Sequence, residues 1–150
     1  MSSDERTVSD PELVIGLTAA VGTPLDLVQR VLVEELTAYG YGCEVLHLSR
    51  YAERFVLDAT PPDVGAREAD RIDAMMNLGN EARRITERNE ILALAAIADL
   101  RVKRGDVARP LEHHAFILRQ LKHPEEVELL RRTYGDGFVL MGLYCPRRVR

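Results

Sequence analysis

The chain has 150 residues, 46% of them hydrophobic and 29% charged, with a formal net charge of −4. That length accommodates one domain with a buried core, and the acidic balance argues against the broad basic surface that nucleic-acid binding requires. No stretch reaches the roughly 18 consecutive apolar residues of a membrane span, so neither a nucleic acid nor a membrane is expected as partner.

Residues 1–11 are polar and acidic, and read as a flexible N-terminal tail rather than a signal peptide. Leu13 to Thr18 is a short apolar run that predicts a strand. The turn Ala19 to Thr23 follows, leading into an amphipathic helix from Pro24 to Tyr39 that Gly40 ends. Thr23 and Pro24 suit its N-cap and first helical position. Cys43 to Leu48 predicts a second strand, and Ser49 to Asp58 a short helix or irregular excursion. Thr60-Pro61-Pro62-Asp63 marks a turn. From Arg67 to Thr86, apolar residues recur at helical spacing, with Gly79 in the middle for close packing or a kink.

Asn89 is placed to cap a helix from Ile91 to Leu100, apolar nearly all round and so buried or at a subunit interface. Arg101 to Pro110 reads as a charged loop. Ala115 to Leu118 reads as a fully buried strand. His123-Pro124-Glu125-Glu126 opens another helix, with proline and acids where a helix start favours them. Gly135 stops it, Phe138 to Tyr144 is the longest strand candidate, and Arg147, Arg148 and Arg150 form a basic end. Strands alternating with helices predict an α/β fold with a mostly parallel sheet.

Strand, tight loop and helix in that order are the frame of a phosphate-binding P-loop, G-x-x-x-x-G-K-[ST]. Laid on Ala19 to Asp26, the pattern finds Ala19 and Pro24 for the glycines, Leu25 for the lysine and Asp26 for the hydroxyl residue. The phosphate-contacting cation is gone, Pro24 lacks an N–H, and Asp26 adds negative charge where a phosphate would sit. An acid can hold Mg²⁺, so a Mg-nucleotide is compatible with Asp26. The buried strand Ala115 to Leu118 runs into Arg119, where a phosphoryl-transfer site needs an acid to hold magnesium. Both changes point away from phosphoryl transfer.

Cys43 and Cys145 fall in strand-like runs without a close partner, which fits a reduced, cytoplasmic setting. With His47, His113, His114 and His123 they make no zinc spacing, and neither CxxC nor HxE followed by PCxxC occurs. No G-x-S-x-G nucleophile elbow is present either.

Three strings carry a resemblance: Val14 to Thr23 (VIGLTAAVGT), Leu78 to Arg84 (LGNEARR), and Leu121 to Arg131 (LKHPEEVELLR) running on into Tyr134-Gly135-Asp136-Gly137-Phe138. In this order they resemble the N-terminal kinase-like P-loop domain of anti-phage dCTP deaminases, relatives of deoxycytidylate (dCMP) deaminase. The resemblance implies a three-layer P-loop NTPase-like fold of the nucleoside monophosphate kinase kind over residues 12–150, without its last strand. It also implies a role in nucleotide metabolism and antiviral defence. The chemistry, conversion of dCTP or dCMP to the deoxyuridine nucleotide, would lie in a zinc deaminase domain absent from this chain, where a zinc-bound water attacks C4 of cytosine. On that reading the chain is an N-terminal piece or a shortened member, with no catalytic residue and no cofactor of its own.

The residues expected to meet a nucleotide or phosphate are Val21, Gly22, Thr23 and Asp26 in and after the loop, and Arg83, Arg84 and Lys122. Basic residues comparable to the last three hold the acceptor phosphate in related kinases. A solvated charged helix face is the favoured account of Arg83, Arg84 and Arg88, and Met75 and Met76 read as core or interface filling. The expected function is a non-catalytic nucleotide-sensing or assembly domain, homo-oligomeric, with a deoxynucleotide as candidate ligand. The alternatives are a small deoxynucleoside monophosphate kinase in which Lys122 or an arginine replaces the P-loop lysine, and a purely structural domain.

Overall fold

The structure, a computed structural model, describes residues 10–58, 65–105 and 109–146. Four strands, β1 (Leu13–Ala19), β2 (Gly42–His47), β3 (His114–Arg119) and β4 (Phe138–Leu143), form one all-parallel sheet in the order β2-β3-β1-β4. Parallel neighbours need crossover connections. These are α1 (Leu25–Ala38) after β1, α2 (Glu68–Thr86) and α3 (Ile91–Lys103) between β2 and β3, and α4 (Pro124–Tyr134) between β3 and β4. A short 3₁₀ helix, Leu48–Arg54, follows β2 directly.

The alternation of side chains along the central strands builds two cores. Val14, Phe116, Leu118 and Phe138 face a layer made by α2, α3 and α4, together with Leu92, Ala96, Leu100, Leu121 and Leu130. Ile15, Leu17 and Ile117 face the other way and meet Leu25, Leu32, Val33 and Leu36 of α1. Helices therefore cover both faces of the sheet, a three-layer arrangement. Near-continuous apolar runs in β1 and β3 are what a strand buried on both sides demands.

The apolar helix α3 lies inside the molecule, with Ile91, Leu92, Ala93, Ala95, Ala96 and Leu100 buried. Its alanines let it approach its neighbours closely. It runs on to Lys103, so the segment expected as a loop from Arg101 is helical at its start. Arg101 and Lys103 suit a helix C-terminus, Lys103 pairs with Glu44 of β2, and Gly105 (φ +75°) ends the turn. The cap of α3 is Glu90 rather than Asn89, whose amide donates to Glu125 Oε1 at 3.0 Å. In α2 the helix continues through Gly79, which is buried. A Cβ there would sit 3.7 Å from Leu92 Cδ1 and 3.3 Å from Arg83 Nη1, so the glycine serves close packing rather than a kink.

Gly16 has a sharper role. A Cβ on it would run into the Leu121 side chain and lie 3.1 Å from the Phe138 ring. Its absence lets Leu121 lie flat on β1 and fixes the segment after β3. Among the strands, β1 with seven residues is longer than β4 with six. The expected turn at Thr60–Asp63, most of the N-terminal tail and the terminal arginines lie outside the described residues. No helix among the described residues is long and apolar enough to cross a membrane.

Candidate functional site

The helix after β1 leaves over one face of the sheet toward β2, whereas the helix after β3 leaves over the other toward β4. The chain therefore parts between the C-terminal ends of β1 and β3. In open α/β sheets, that is the point where a ligand crevice opens. Two segments border it, residues 20–24 after β1 and residues 120–123 after β3. They are tied together: Leu121 N–H donates to Leu17 O at 3.0 Å, and Thr18 Oγ1 donates to Leu121 O at 2.9 Å.

The first segment closes on itself. Thr23 N–H donates to Ala20 O at 3.1 Å, with Gly22 at φ +83° in the third position, the geometry of a type II turn. Leu25 N–H donates to Thr23 O at 2.7 Å, and Pro24 has no N–H. Three successive positions that would cradle a phosphate therefore offer it no free backbone donor. Val21 is exposed. The structure also corrects the expected cap: Pro24 itself is the N-cap of α1, and the Thr23 hydroxyl, enclosed from solvent, has no hydrogen-bond partner.

Arg119 fills the space beneath α1. Continuing the alternation of Ala115 and Ile117, it projects to the α1 side. Its Nη1 donates to Asp26 Oδ1 and to Gln29 Oε1, both at 2.6 Å. Arg119 is 7% exposed, whereas the Asp26 side chain is 91% exposed. Arg119 Nε is buried without a partner. His47, opposite Arg119 in the register of β2 and β3, is held below its ordinary pKa. Burial is the main cause, the Arg119 and Arg50 charges add to it, and Asp26 opposes it.

On the other face, residues 120–123 border a cleft lined by Ser49, Met75, Met76, Gly79, Arg83 and Lys122. Its free volume of about 10 Å³ is that of a single water position, so a larger occupant needs the cleft to widen. Lys122 is exposed and forms no ion pair among the described residues. Partial desolvation of its ammonium and the neighbouring Arg83 charge lower its pKa, with Glu126 opposing. Gln120, also on the cleft, takes a left-handed backbone (φ +69°) unusual for a residue with a Cβ.

Arg83 is anchored rather than free. Its Nη2 donates to Glu126 Oε1 at 2.9 Å and its Nε to Asn89 O at 3.2 Å, leaving Nη1 toward Gly79 and the cleft. Glu126 is fully buried, and its other oxygen accepts from the N–H groups of Lys122 (2.8 Å) and His123 (3.1 Å). One carboxylate thus holds α2, α4 and the segment after β3 together. Arg84 points elsewhere, donating from Nε and Nη2 to Glu81 on the exposed side of α2.

The sequence-derived residues therefore divide. Arg83 and Lys122 meet at the cleft; Asp26 meets Arg119 on the opposite face; Arg84 joins neither. Sequence reasoning missed Gln29, Gln120 and Ser49, and weighed His47 only as a zinc ligand. Asp26 and Gln29 share a helix face at i, i+3, a signal for a common partner. Gln120 carried no signal, because glutamine has no preference for a left-handed backbone.

A larger hollow, about 440 Å³, lies at the N-terminal end of the strands between Glu12, Arg104, Arg109 and Tyr134. Two of its charges, Glu12 and Arg104, are already matched. Glu12 accepts from Arg104 Nε at 3.0 Å and from Leu111 N–H at 2.7 Å, and the Arg104 guanidinium lies over the Tyr134 ring. Neither a protein-family model nor a curated protein matches this chain.

Proposed function

We propose that the chain is a non-catalytic, nucleotide-sensing domain with a degenerate P-loop kinase-like fold, and that its ligand is a deoxynucleoside phosphate held beside Lys122. The observation that carries the reading is the Lys122 ammonium: exposed, without an ion pair among the described residues, and beside the Arg83 charge at the mouth of a cleft between α2 and the end of β3. In a widened cleft, a phosphate would meet Lys122 and the Nη1 of Arg83, while Met75 and Met76 offer an adaptable apolar wall for a base. Gln120 supports the same place, since a strained backbone held by its surroundings often marks a ligand clamp.

The absence of phosphoryl transfer in this reading rests on the first segment. Leu25 stands where a P-loop carries lysine, the turn uses its own donors, and Arg119 stands where a magnesium-binding acid would be. The wider role, as the sensing or assembly part of an anti-phage deoxycytidine nucleotide deaminase with zinc in another domain, rests on the three strings alone. An open frame after Arg150 encoding HxE and PCxxC would support it. The uncharged strand β4, at one edge of the sheet, is where assembly contacts would most easily form.

Calorimetric titration with dCMP and dCTP, with and without Mg²⁺, tests the reading. Binding that Lys122→Ala weakens about tenfold or more, with the melting temperature unchanged, is the expected result. Phosphate transfer from ATP to a deoxynucleoside monophosphate would instead establish a kinase. If no nucleotide raises the melting temperature even at millimolar concentration, the domain is structural.

A further inference from the structure

We propose that Asp26 is a tethered anion occupying a second phosphate site, whose own cation is Arg119. This site lies on the α1 side of the sheet and does not rest on binding at the Lys122 cleft. Three observations set it apart from an ordinary surface ion pair.

The burial is lopsided. Arg119 is 7% exposed and anchored at the end of a central strand, whereas the Asp26 side chain is 91% exposed on the first turn of α1. The cation is built into the fold, and its partner reaches it from solvent. The exposed Asp26 carboxylate is hydrated when it turns away, so exchanging it for another anion on the buried guanidinium strands neither charge.

The guanidinium is also under-used. Arginine presents five N–H donors in a planar fork suited to two oxygens of one phosphate. Here Nη1 alone serves both Asp26 and Gln29, and the buried Nε has no partner. A buried unmatched donor is costly, which marks the contact with Asp26 as an incomplete substitute for a better-fitting anion.

The surroundings favour negative charge as well. The start of α1 carries the positive end of the helix dipole, the enclosed Thr23 hydroxyl precedes it without a partner, and Arg50 adds its field beside His47. The location is the parting of the chain between β1 and β3. In the bound state, a phosphate takes the place of the Asp26 carboxylate on Arg119, and Asp26 turns to solvent.

The test is calorimetric titration of the full chain with inorganic pyrophosphate at low ionic strength, using the wild type, Asp26→Ala, Arg119→Gln and Arg119→Lys. Asp26→Ala is expected to bind pyrophosphate about tenfold more tightly than the wild type, because the competing carboxylate is gone. Adding either Arg119 substitution to it should abolish that gain. Arg119→Lys keeps the charge and guards against a folding defect in Arg119→Gln, while Lys122→Ala should leave the gain intact. A parallel titration with dCTP identifies the source: a larger gain for dCTP than for pyrophosphate assigns the site to a nucleotide, and equal gains to the free anion. An Asp26→Ala chain that binds pyrophosphate no better than the wild type overturns the proposal. So does a gain that survives the loss of Arg119. Failure at Lys122 and failure at Asp26 are read from different variants, so the two proposals stand or fall separately.

Discussion

The Arg83 guanidinium and the Glu126 carboxylate meet at 2.9 Å with side-chain exposures of 8% and 0%. The carboxylate is also the acceptor for two backbone N–H groups at the start of α4. Its removal would strand a buried cation and two partly buried donors together. Glu126→Ala is therefore expected to cost about 3–5 kcal/mol, the range for breaking one side of a buried pair. Glu126→Gln should cost less, since the amide oxygen still accepts from the backbone. Urea denaturation of the two variants measures the difference; equal costs would show that the backbone bonds contribute little.

Gly16 gives a packing prediction. An added methyl there meets the Leu121 side chain and the Phe138 ring, so Gly16→Ala is expected to destabilise by about 1–3 kcal/mol through overpacking. Leu121 anchors residues 120–123, so the same change should weaken nucleotide binding. A companion substitution, Leu121→Ala, makes room for the methyl, and in that background Gly16→Ala should be far milder. A double-mutant cycle on melting temperatures checks the coupling.

His47 supplies a pH signature. Its pKa is lowered in the folded chain from 6.5, chiefly by burial and then by Arg119 and Arg50. Between the folded value and 6.5 the unfolded state binds more protons, so stability rises with pH there. The contribution is complete above about 6.5 and is lost as pH falls through the folded value. His47→Gln should flatten the stability profile of the wild type below pH 6.5, as followed by denaturation at a series of pH values. An unchanged slope would show that carboxylates alone cause the acid sensitivity.

Gln120 can be relieved of its backbone strain. At φ +69° a glycine sits without the Cβ penalty, and Gln120→Gly is expected to leave stability level or raise it by up to about 1 kcal/mol. Binding at the Lys122 cleft should fall, because a more mobile segment no longer holds Lys122 in place. Loss of stability together with unchanged affinity would contradict the clamp reading.

These expectations rest on contacts of unequal legibility. The strands β1 and β3 were plain in Leu13 to Thr18 and Ala115 to Leu118, since continuous apolar runs of that length have few other uses. The start of α4 was written in His123-Pro124-Glu125-Glu126. The cap of α1 was not, because the chain reached α1 through a closed turn that placed Pro24 at the cap and buried the Thr23 hydroxyl. Residue type alone could not separate Arg83 from Arg84. They are neighbours on one helix, yet the helical rotation of about 100° between them turns one onto buried Glu126 and the other onto exposed Glu81. Arg119 was visible as a missing acid; its pairing with Asp26 depends on the approach of α1 over the end of β3, a tertiary fact.

The strand order carries a consequence for how the chain comes together. Strand β1 is the first to be made and lies between two partners, yet Leu13 pairs with Ala115 and Val14 with Phe138. An emerging chain would hold this apolar strand unpaired until β3 has been made. Such distant pairing slows folding and leaves a sticky segment exposed in the meantime. The early α1 can shield one side of β1, through Leu25 against Ile15 and Leu17, long before β3 arrives.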